Sequence, residues 1–421
     1  MLDIKLIREN PDLVRTAAAR KNMAIDLDGI LALDHRRREN LQEAERLKQQ
    51  LNATTAEIAK KKKAGEHADD LIVRMREVSQ RIGEMDEQRR RIENDLEARL
   101  LWVPNIPDSS VPVGDESANR EVRSWGELPQ FPFTPAPHWE LGEKLRMLDL
   151  ARGAKISGSG FFVLMGRGAR LQRALINFMI DRHVRAGYTE VRPPYLVTAA
   201  SMTGTGQLPK LEEDMYRLNK EELYLVPTGE VPVTNLHSGE TLRAEELPLK
   251  YVSYTPCFRR EAGAHGKDTR GMIRVHQFDK VELVKIVRPE TSHDELEALV
   301  ADAEDILQSL ELPYRVRMLA TGDLSFAAAK CYDLEVWAPG VGSFLEVSSC
   351  SNFLDFQARR MNTRFRPAPQ EKLQFVHTLN GSGLALPRTV IALVENHQTQ
   401  KGAVRIPARL RPYLDGEDEI A

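Results

Sequence analysis

The feature that most constrains this chain is a long stretch without proline near its N-terminus. From Asp12 to Val103 the sequence contains none of the chain's 23 prolines, and only Gly29, Gly65 and Gly83 of its 26 glycines. Trp102 is the only Phe, Trp or Tyr in the stretch. Because proline and glycine interrupt helices, this composition predicts a long helical segment. The remainder of the chain, which is rich in both residues, is expected to form a different kind of domain.

Apolar residues within this stretch recur at heptad spacing, which is typical of paired helices. The second half carries Leu71, Met75, Val78, Ile82, Met85, Ile92 and Leu96, with Arg89 in the missing position of the series, and the first half carries Leu41, Ala44, Leu47, Leu51 and Ile58. Between the halves, Gly65 can end one helix, and Asp69 or Asp70 can cap the next. We therefore predict an antiparallel helical hairpin over about residues 31–100, each helix being ~45 Å long. Such a hairpin has too little core to fold as a globule, so we expect it to project as an arm.

The charges of the predicted arm leave two interpretations of its function open. Residues 31–100 carry 16 Lys and Arg against 15 Asp and Glu, which fits a solvated coiled coil or a dimerisation rod. The basic residues are bunched, however, and local cations rather than net charge are what phosphate contacts need. The clusters are Lys60, Lys61, Lys62 and Lys63 at the tip, with Arg36, Arg37 and Arg38 and Arg89–Arg91 nearer the base. Residues 31–100 contain no Phe, Trp or Tyr side chain that could stack on a base. An RNA-binding arm would therefore recognise the phosphate backbone or the shape of the RNA.

The rest of the chain reads as a linker and a second domain. Seven prolines lie within residues 104–137, which predicts a linker, and residues 138–421 alternate helical and strand-like segments irregularly. Helices are predicted over 167–186 and 290–312, and a short strand over 188–191. No βαβ rhythm is visible, which disfavours a doubly wound parallel sheet. We therefore expect an α+β fold: a helical arm of 1–103 including the hairpin, then a catalytic domain with an antiparallel sheet flanked by helices.

Cysteine usage, termini and charge restrict the protein class. The three cysteines, Cys257, Cys331 and Cys350, have no CxxC spacing, so a disulfide framework or a cysteine-based zinc site is not expected. The charged N-terminus lacks the apolar core of a signal peptide, and no apolar run is long enough to span a bilayer. A cytoplasmic protein with no membrane association is the expectation. The net charge of −3 gives no global attraction to nucleic acid.

Two predicted strands carry the residues best suited to bind a nucleotide. Residues 251–261 and 273–283 read as strands separated by a loop over 262–271. Since side chains alternate in a strand, Arg259 and Glu261 share one face of the first strand, and Arg274, Phe278 and Glu282 share one face of the second. A hairpin of the two strands can therefore carry all five on one surface. Arginine forks bind phosphate, an aromatic ring stacks on a base, and carboxylates accept amino protons. The alternative is an exposed hairpin face held by salt bridges.

Common nucleotide and metal signatures are absent from the sequence. It contains no GxxxxGK[ST] loop, no GxGxxG unit between a strand and a helix, and no HExxH or zinc-type cluster. If the protein binds ATP, it must do so with dispersed arginines and a Mg²⁺ ion held by carboxylates.

Several segments of the chain resemble the sequence motifs of a known protein family. The segment Phe258–Glu261, the loop and Arg274–Phe278 resemble motif 2 of class II aminoacyl-tRNA synthetases, in the form found in the seryl-tRNA synthetase family. Ala186–Pro194 resembles motif 1, and Gly381–Arg388 resembles motif 3. The resemblance covers nearly the whole chain, because the predicted arm matches the family's tRNA-binding coiled coil. It also implies a homodimer joined through the motif 1 region.

The resemblance implies a role for individual residues. Arg259 and Arg388 would act in catalysis, and Glu346 and Ser349 would hold Mg²⁺ as hard oxygen ligands. Strict alternation instead places Ser348 on the face of Glu346, which a bulge would reconcile. The implied serine-binding residues are Thr228, Gly229, Glu230, Arg259, Glu282 and Ser382. The implied ATP-binding residues are Arg259, Arg260, Glu261, Arg274, Val275, Phe278, Glu346, Val347, Ser348, Ser349 and Arg388. The implied tRNA-binding residues are Arg36, Arg37, Lys60, Lys61, Lys62 and Lys63.

The expected activity is that of a ligase joining L-serine to tRNA(Ser), and also to tRNA(Sec), with ATP and Mg²⁺ and without zinc. Two other classes fit parts of the sequence. An enzyme that activates an amino acid for a carrier protein would tend to lack the long arm. A non-catalytic RNA-binding protein of synthetase descent would be expected to have lost several polar residues, yet Arg259, Glu261, Glu282, Glu346 and Arg388 are all present.

Overall fold

The structure of the chain is a computed structural model that describes residues 1–262 and 270–421. It divides into two compact units, Met1–Pro104 and Asn105–Ala421. The loop predicted over 262–271 falls largely on 263–269 and so lies outside the described residues.

The first unit is helical, as its composition predicts. Its helices are α1 (Ile4–Glu9), α2 (Pro11–Arg20), α3 (Leu27–Lys63) and α4 (Asp69–Leu100). Helices α3 and α4 pack against each other over 37 and 32 residues, which corresponds to ~55 and ~48 Å. The predicted helical hairpin is confirmed, and its first helix is longer than expected. The short helices α1 and α2 carry no heptad pattern and were not predicted.

The apolar seam of the hairpin differs from the prediction at one position. Ala44 and Leu47 of α3 pack with Ile82 and Met85 of α4, all four being buried. Leu41 is 40% exposed, whereas Asn40 is 7% exposed and its Nδ2 donates to Gln88 Oε1 at 3.3 Å. The seam prediction is therefore wrong at Leu41, because steps of three and four residues back from Leu47 pass through Ala44 to Asn40.

The turn between α3 and α4 confirms one predicted signal and corrects another. Gly65 has φ of +74°, a left-handed conformation that glycine adopts without strain just after the end of α3. The N-cap of α4 is Ala68, which makes no side-chain cap, so the capping prediction is wrong for Asp69 and Asp70. Both aspartates lie in the first turn instead, where a negative charge stabilises the helix through its interaction with the helix dipole.

The second unit contains both helices and strands. Its helices are α5 (His138–Lys144), α6 (Leu150–Ser157), α7 (Gly166–Arg185), α8 (Ala199–Thr205), α9 (Glu230–Thr234), α10 (Ser292–Ser309), α11 (Phe356–Met361) and α12 (Leu386–Asn396). Its strands are β1 (Arg120–Trp125), β2 (Leu148–Asp149), β3 (Val163–Leu164), β4 (Thr189–Glu190), β5 (Leu196–Thr198), β6 (Arg217–Leu218), β7 (Leu223–Leu225), β8 (Thr241–Arg243), β9 (Leu249–Phe258), β10 (Gln277–Val287), β11 (Tyr314–Met318), β12 (Lys330–Ala338), β13 (Ser343–Asn352), β14 (Arg364–Arg366), β15 (Gln374–Phe375), β16 (His377–Ala385), β17 (Val404–Arg405) and β18 (Glu419–Ile420).

One large sheet organises this unit. Its strand order is β1-β11-β12-β13-β16-β10-β9-β4, and only the pairing of β4 with β9 is parallel. Helices α7, α10 and α12 contribute Leu175, Leu299 and Leu393 to the same buried core as the sheet residues Leu283 and Leu334. The predicted α+β class, with an antiparallel sheet flanked by helices, is confirmed.

Several element boundaries shift from their predicted positions. Helices α7 and α10 lie close to the predicted 167–186 and 290–312. The strand predicted over 273–283 begins only at Gln277, and residues 120–125 of the predicted linker form β1 at the edge of the large sheet. Among the described residues, none of the helices has the length and apolar character that crossing a bilayer requires.

Candidate active site

A cavity of about 830 Å³ is bordered by the adjacent strands β13, β16 and β10 and by the start of α12. Most of the residues that the sequence singles out meet there. Those that line the cavity are Thr228, Glu230, Arg259, Glu261, Arg274, Val275, Phe278, Glu346, Val347, Ser349, Ser382 and Arg388.

At one end of the cavity a carboxylate is buried among polar partners. Glu282 is 1% exposed, and its Oε2 accepts from Thr228 Oγ1 at 2.6 Å and lies 2.5 Å from Lys280 Nζ. Lys280 Nζ also donates to Thr228 Oγ1 at 2.8 Å, and Asn380 Nδ2 donates to Glu282 Oε1 at 3.2 Å. Alternation along β10 places Lys280 and Glu282 on one face. Because a buried charge is tolerated when it is paired and hydrogen-bonded, this cluster holds a carboxylate in a fixed orientation beside the cavity.

A second carboxylate lies close to the first. Glu230 is the first residue of α9, is buried, and accepts from Gln357 Nε2 through Oε1 at 2.6 Å. Burial and the nearby negative charge of Glu282 raise the pKa of Glu230 to about 7. A Cβ atom at Gly229 would lie 3.0 Å from the Cβ of Glu282, so glycine permits the close approach of α9 to β10.

Arg259 follows the end of β9 and points into the same cavity. Its Nε donates to the carbonyl oxygen of Pro227 at 3.2 Å, and its guanidinium carbon lies 5.1 Å from the ring centroid of Phe278. A carbonyl and an aromatic face leave the charge of the guanidinium unneutralised but orient its plane. This arrangement suits an anionic group of a substrate.

Glu261 and Arg274 face each other across the cavity entrance. Arg274 Nη1 donates to Glu261 Oε2 at 2.7 Å. Glu261 has φ of +51°, so the extended chain of β9 has already turned at this residue. Arg259 and Glu261 line the cavity and Arg260 does not, as predicted, but β9 ends at Phe258, so the strand alternation invoked for them does not extend to these residues.

The start of α12 brings another arginine to the cavity. Pro387 and Arg388 lie in its first turn, where proline is favoured and backbone N–H groups are free to bind anions. Arg388 Nη1 donates to the carbonyl oxygen of Glu346 at 2.8 Å and lies 3.5 Å from its carboxylate. Its Nε donates to the carbonyl oxygen of Ile273 at 3.1 Å, which fixes the side chain between β13 and the segment before β10.

A bulge in β13 settles which serine shares a face with Glu346. In the pairing with β12, Glu346 lies opposite Glu335 and Ser348 lies opposite Leu334, so Val347 is an extra residue. The extra residue puts Ser349 on the cavity side with Glu346. Ser348 is buried on the other side, where its Oγ donates to the carbonyl oxygen of Ser382 at 2.7 Å.

The donor atoms near the bulge suit a hard cation. The Glu346 carboxylate and the Ser349 hydroxyl are oxygen donors that line the cavity, and Mg²⁺ commonly takes only one or two protein oxygens together with water and phosphate. Asp333 lies opposite Ser349 in β12, and its burial and the negative charge of Glu346 raise its pKa well above the ordinary value. Within residues 1–262 and 270–421, no cluster of three or more His, Cys, Asp or Glu side chains could hold a metal.

Four predicted ligand-binding residues do not line the cavity. Arg260 points away and its Nη1 donates to the carbonyl oxygen of Glu213 at 3.0 Å. Ser348 faces the opposite side of β13, so a side-chain contact from either residue to a nucleotide is not supported. Gly229 and Glu282 lie behind Thr228 and Glu230 and shape the cavity from beneath.

The basic residues of the first unit differ in their exposure to solvent and in their ion pairs. Lys60, Lys62 and Lys63 are exposed at the end of α3, and Lys61 is partly covered. Arg36 is also exposed, but Arg37 Nη2 donates at 2.8 Å to Asp34, a buried carboxylate. Arg37 is therefore better placed to compensate that buried charge than to bind phosphate.

Sequence reasoning missed several polar residues of the site. Lys280 and Asn380 line the cavity, and Gln357 and Asp333 lie behind it. The alternation that selected Phe278 and Glu282 also selects Lys280 between them, so this residue could have been found. Gln357 and Asn380 carry no local signal, because their partners are distant in the sequence.

Comparisons with known proteins identify the family to which the chain belongs. A model of the seryl-tRNA synthetase N-terminal domain matches residues 1–107, and a model of the tRNA synthetase class II core domain (G, H, P, S and T) matches residues 210–397. The chain is 54% identical over 418 residues to a serine–tRNA ligase of Desulfitobacterium hafniense, with 99% of each chain covered.

Solved structures give the same result. The crystal structure of seryl-tRNA synthetase from Pyrococcus horikoshii, complexed with ATP, has a TM-score of 0.94 at 42% identity and covers 100% of this chain and 99% of its own. The cytoplasmic serine–tRNA ligase of Naegleria fowleri, in complex with AMP, has a TM-score of 0.90 at 30% identity, with 100% and 98% covered.

Proposed function

The chain belongs to the seryl-tRNA synthetase family of class II aminoacyl-tRNA ligases, and from this premise we propose the reaction that its cavity carries out. In the first step, ATP and L-serine form seryl-adenylate and pyrophosphate. In the second, the seryl group passes to the 3′ end of tRNA(Ser), and also of tRNA(Sec). The observation that carries this proposal is the Glu282–Lys280–Thr228 cluster beside a cavity lined by arginines.

Serine fits the two buried carboxylates and the nearby arginine. The Glu230 carboxylate accepts hydrogen bonds from the substrate ammonium, and Arg259 binds the substrate carboxylate. Glu282 lies directly behind Thr228, and it would accept a hydrogen bond from the substrate hydroxyl in place of the one that Thr228 donates in the free protein, with Ser382 completing the pocket. Alanine, which lacks the hydroxyl, would forgo this hydrogen bond to a charged group at a cost of about 1–3 kcal/mol. Discrimination against threonine would have to be steric, at its additional methyl group.

The remaining cavity residues suit ATP. Glu261 accepts from the adenine amino group, and the ring of Phe278 stacks on the base. Arg274 contacts the β- or γ-phosphate and Arg388 the γ-phosphate. Since Glu261 and Arg274 pair with each other, adenine and phosphate exchange that ion pair for contacts of their own. The backbone at Val275 and Val347 borders the nucleotide.

The first step needs positioning and charge stabilisation rather than a protein nucleophile. A carboxylate oxygen of serine attacks the α-phosphorus, and the bond from that phosphorus to the oxygen bridging the β-phosphate breaks, with pyrophosphate leaving. Arg259 holds the attacking carboxylate and stabilises the negative charge on the α-phosphoryl oxygens. In the second step a ribose hydroxyl at the tRNA 3′ end attacks the acyl carbon and AMP leaves.

We assign Glu346 and Ser349 as the residues that would hold Mg²⁺ with the ATP phosphates. When bound, the ion supplies positive charge that offsets the negative charge of the phosphates. Arg388 contacts Glu346 and so orients this carboxylate toward the same side of the cavity.

The first unit is proposed to bind the tRNA. We take residues 1–103 as the tRNA-binding domain, 104–137 as a Pro-rich connection and 138–421 as the catalytic domain. The exposed Lys60, Lys62 and Lys63 would contact phosphates, together with Lys61 and Arg36. Two chains would associate through the motif 1 region, so that an arm can reach a tRNA bound by the partner subunit.

Amino-acid-dependent ATP–pyrophosphate exchange, measured with Mg²⁺ and each of the twenty amino acids, tests this function. We expect exchange with serine far above exchange with the others, followed by serylation of tRNA(Ser). Exchange with glycine or alanine would overturn the pocket assignment and favour activation for a carrier protein. A folded protein without exchange for any amino acid would indicate a non-catalytic RNA-binding role.

A further inference from the structure

Gln357 is a buried polar residue that does not line the cavity yet contacts a residue that does. It is the second residue of α11 and is 0% exposed. Its Nε2 donates to Glu230 Oε1 at 2.6 Å and to the carbonyl oxygen of Thr205 at 3.0 Å. Its Oε1 accepts from Thr378 Oγ1 at 2.7 Å. One side chain thus joins α9, the end of α8 and strand β16.

The orientation of this amide follows from its partners. A backbone carbonyl accepts hydrogen bonds and cannot donate, so the atom facing Thr205 must be the nitrogen. The opposite orientation would place the amide oxygen against both that carbonyl and the Glu230 carboxylate. Thr378, which can donate, lies on the oxygen side. The amide group therefore presents its N–H groups to Glu230 in a single arrangement.

Glu230 is left with one oxygen for a ligand. Oε1 is occupied by Gln357, while Oε2 accepts no hydrogen bond from the part of the chain that the structure describes, and the residue lines the cavity. The charges that face Glu230 are those of Glu282 and Lys280 on β10 and Arg259 beyond β9. The charge of Glu282 disfavours the ionised form of Glu230, whereas the charges of Lys280 and Arg259 favour it. Within the described residues, Gln357 is the only hydrogen-bond donor to the Glu230 carboxylate.

We propose that Gln357 is a positioning residue that fixes the Glu230 carboxylate so that its second oxygen receives the ammonium group of the amino acid substrate. The inference rests on the proposed function of the cavity and deepens it. Gln357 does not contact the substrate. It acts through Glu230, and Thr378 and Thr205 in turn hold Gln357 in place.

The proposal has a consequence for pH dependence. The hydrogen bond from Gln357 lowers the pKa of Glu230 against the effects of burial and Glu282. Losing this donor raises that pKa further, so the carboxylate ionises only at higher pH. Binding of the serine ammonium then requires more alkaline conditions, whereas ATP binding, which does not involve Glu230, is unaffected.

The decisive experiment is serine-dependent ATP–pyrophosphate exchange by the full-length protein, comparing wild type with Gln357→Met. We expect KM for serine to rise about ten- to a hundredfold near neutral pH, the effect of losing one hydrogen bond to a charged group. The rise should shrink as pH increases, KM for ATP should stay within about twofold, and kcat should change less than KM. Unchanged KM for serine with an unchanged pH profile would overturn the proposal.

Two further variants protect the test against a simple loss of folding. Thr378→Val removes only the partner on the oxygen side of the amide, and a smaller rise in KM for serine in the same direction is expected. Gln398→Met removes another buried glutamine amide, whose Oε1 and Nε2 bond to the backbone of Ala136, and should leave KM for serine unchanged. If Gln398→Met moves KM for serine as much as Gln357→Met does, the effect is structural and the proposal fails. Absence of serine exchange in the wild type would instead refute the proposed function.

Discussion

The two units of this protein place charge in opposite ways. In the hairpin, ion pairs such as Arg46 with Glu43 link neighbouring turns of one helix and remain exposed to solvent. In the second unit, Lys280 and Glu282 form a pair whose side chains are 7% and 0% exposed. Exposed pairs contribute little to stability and can be replaced, whereas buried charges oppose folding and persist only with several partners. The hairpin therefore leaves its charges accessible, as the proposed binding of a large polyanion requires, whereas the second unit fixes a few charges beside its cavity.

The contrast extends to the apolar residues. The hairpin buries a narrow seam around Ala44, Leu47, Ile82 and Met85, while the large sheet is covered by α7, α10 and α12 around an extensive core. A seam of this kind tolerates polar residues such as Asn40. A core of the second kind supplies the rigid surroundings that orient Glu230 and Glu282.

The largest expected effect separates the two units by function. Replacing residues 31–100 with a short Gly-Ser linker should abolish serylation of tRNA(Ser), because the proposed phosphate contacts are lost. Pyrophosphate exchange should remain, since the cavity residues all lie in the second unit. Parallel assays of charging and exchange make the comparison. Charging that survives the deletion would refute the role given to the hairpin.

The next prediction compares the loss of a lysine charge in the second unit with the same loss in the hairpin. Lys280→Met leaves the Glu282 carboxylate buried without its cation, and we expect a loss of about 3–5 kcal/mol in the free energy of unfolding. A fall of at least about a hundredfold in kcat/KM for serine should accompany it. Urea denaturation measures the free energy of unfolding, and the kinetics of serine-dependent pyrophosphate exchange measure kcat/KM.

The matched control for that substitution is Lys48→Met. Lys48 pairs with Asp86 at 3.7 Å between the helices of the hairpin and is half exposed. We expect Lys48→Met to change the free energy of unfolding by less than about 1 kcal/mol and to leave serine-dependent pyrophosphate exchange unchanged. Equal losses in the two variants would remove the distinction between buried and exposed charge.

A moderate effect concerns the pH dependence of serine binding. Glu230, with a pKa of about 7, is largely neutral at pH 6 and largely ionised at pH 8. KM for serine should therefore fall about tenfold over this interval, while KM for ATP follows a different profile. Since this pKa is raised above its ordinary value of 4.5, the same group makes the free protein less stable as pH rises from about 4.5 to above 7. Glu230→Gln should abolish the dependence of KM for serine; a dependence that persisted in this variant would have to come from another group.

The smallest expected effect concerns the tip of the hairpin. Changing Lys60, Lys61, Lys62 and Lys63 together to Gln should raise KM for tRNA about tenfold at moderate salt and reduce its dependence on salt concentration. Exchange kinetics should not change. The double variant Arg46→Gln with Arg91→Gln is the control, because each arginine already pairs within its helix. An equal rise in the control would mean that net charge, and not the tip, determines binding.

What the sequence predicted well depends on local pattern. The proline-free stretch predicted the hairpin. The predicted placement of Arg259 and Glu261 at the cavity, with Arg260 away from it, also holds, although β9 ends before them. The family resemblance drawn from ordered motifs is confirmed by full-length identity to known serine–tRNA ligases. These features require only neighbouring residues or motif order, so a single sequence contains them.

What the sequence could not predict depends on distant contacts and on small irregularities. Gln357 meets Glu230 across 127 positions, and no local pattern indicates that contact. Local steps of three and four residues lead to Asn40 in the seam, but its partner Gln88 lies on the other helix, and no local pattern indicates that contact. The cap of α4 likewise falls on Ala68, because the turn geometry overrides the usual preference for aspartate.

The bulge at Val347 has a practical consequence for protein redesign. A designer who treats β13 as a regular strand would assign Ser348 to the cavity and would vary the wrong serine, damaging the contact to the Ser382 backbone. Deleting one residue there would restore strict alternation and interchange the two faces of the strand beyond that point. A set of variants that probes the proposed metal site should therefore keep the length of β13 constant and vary Ser349 while leaving Ser348 fixed.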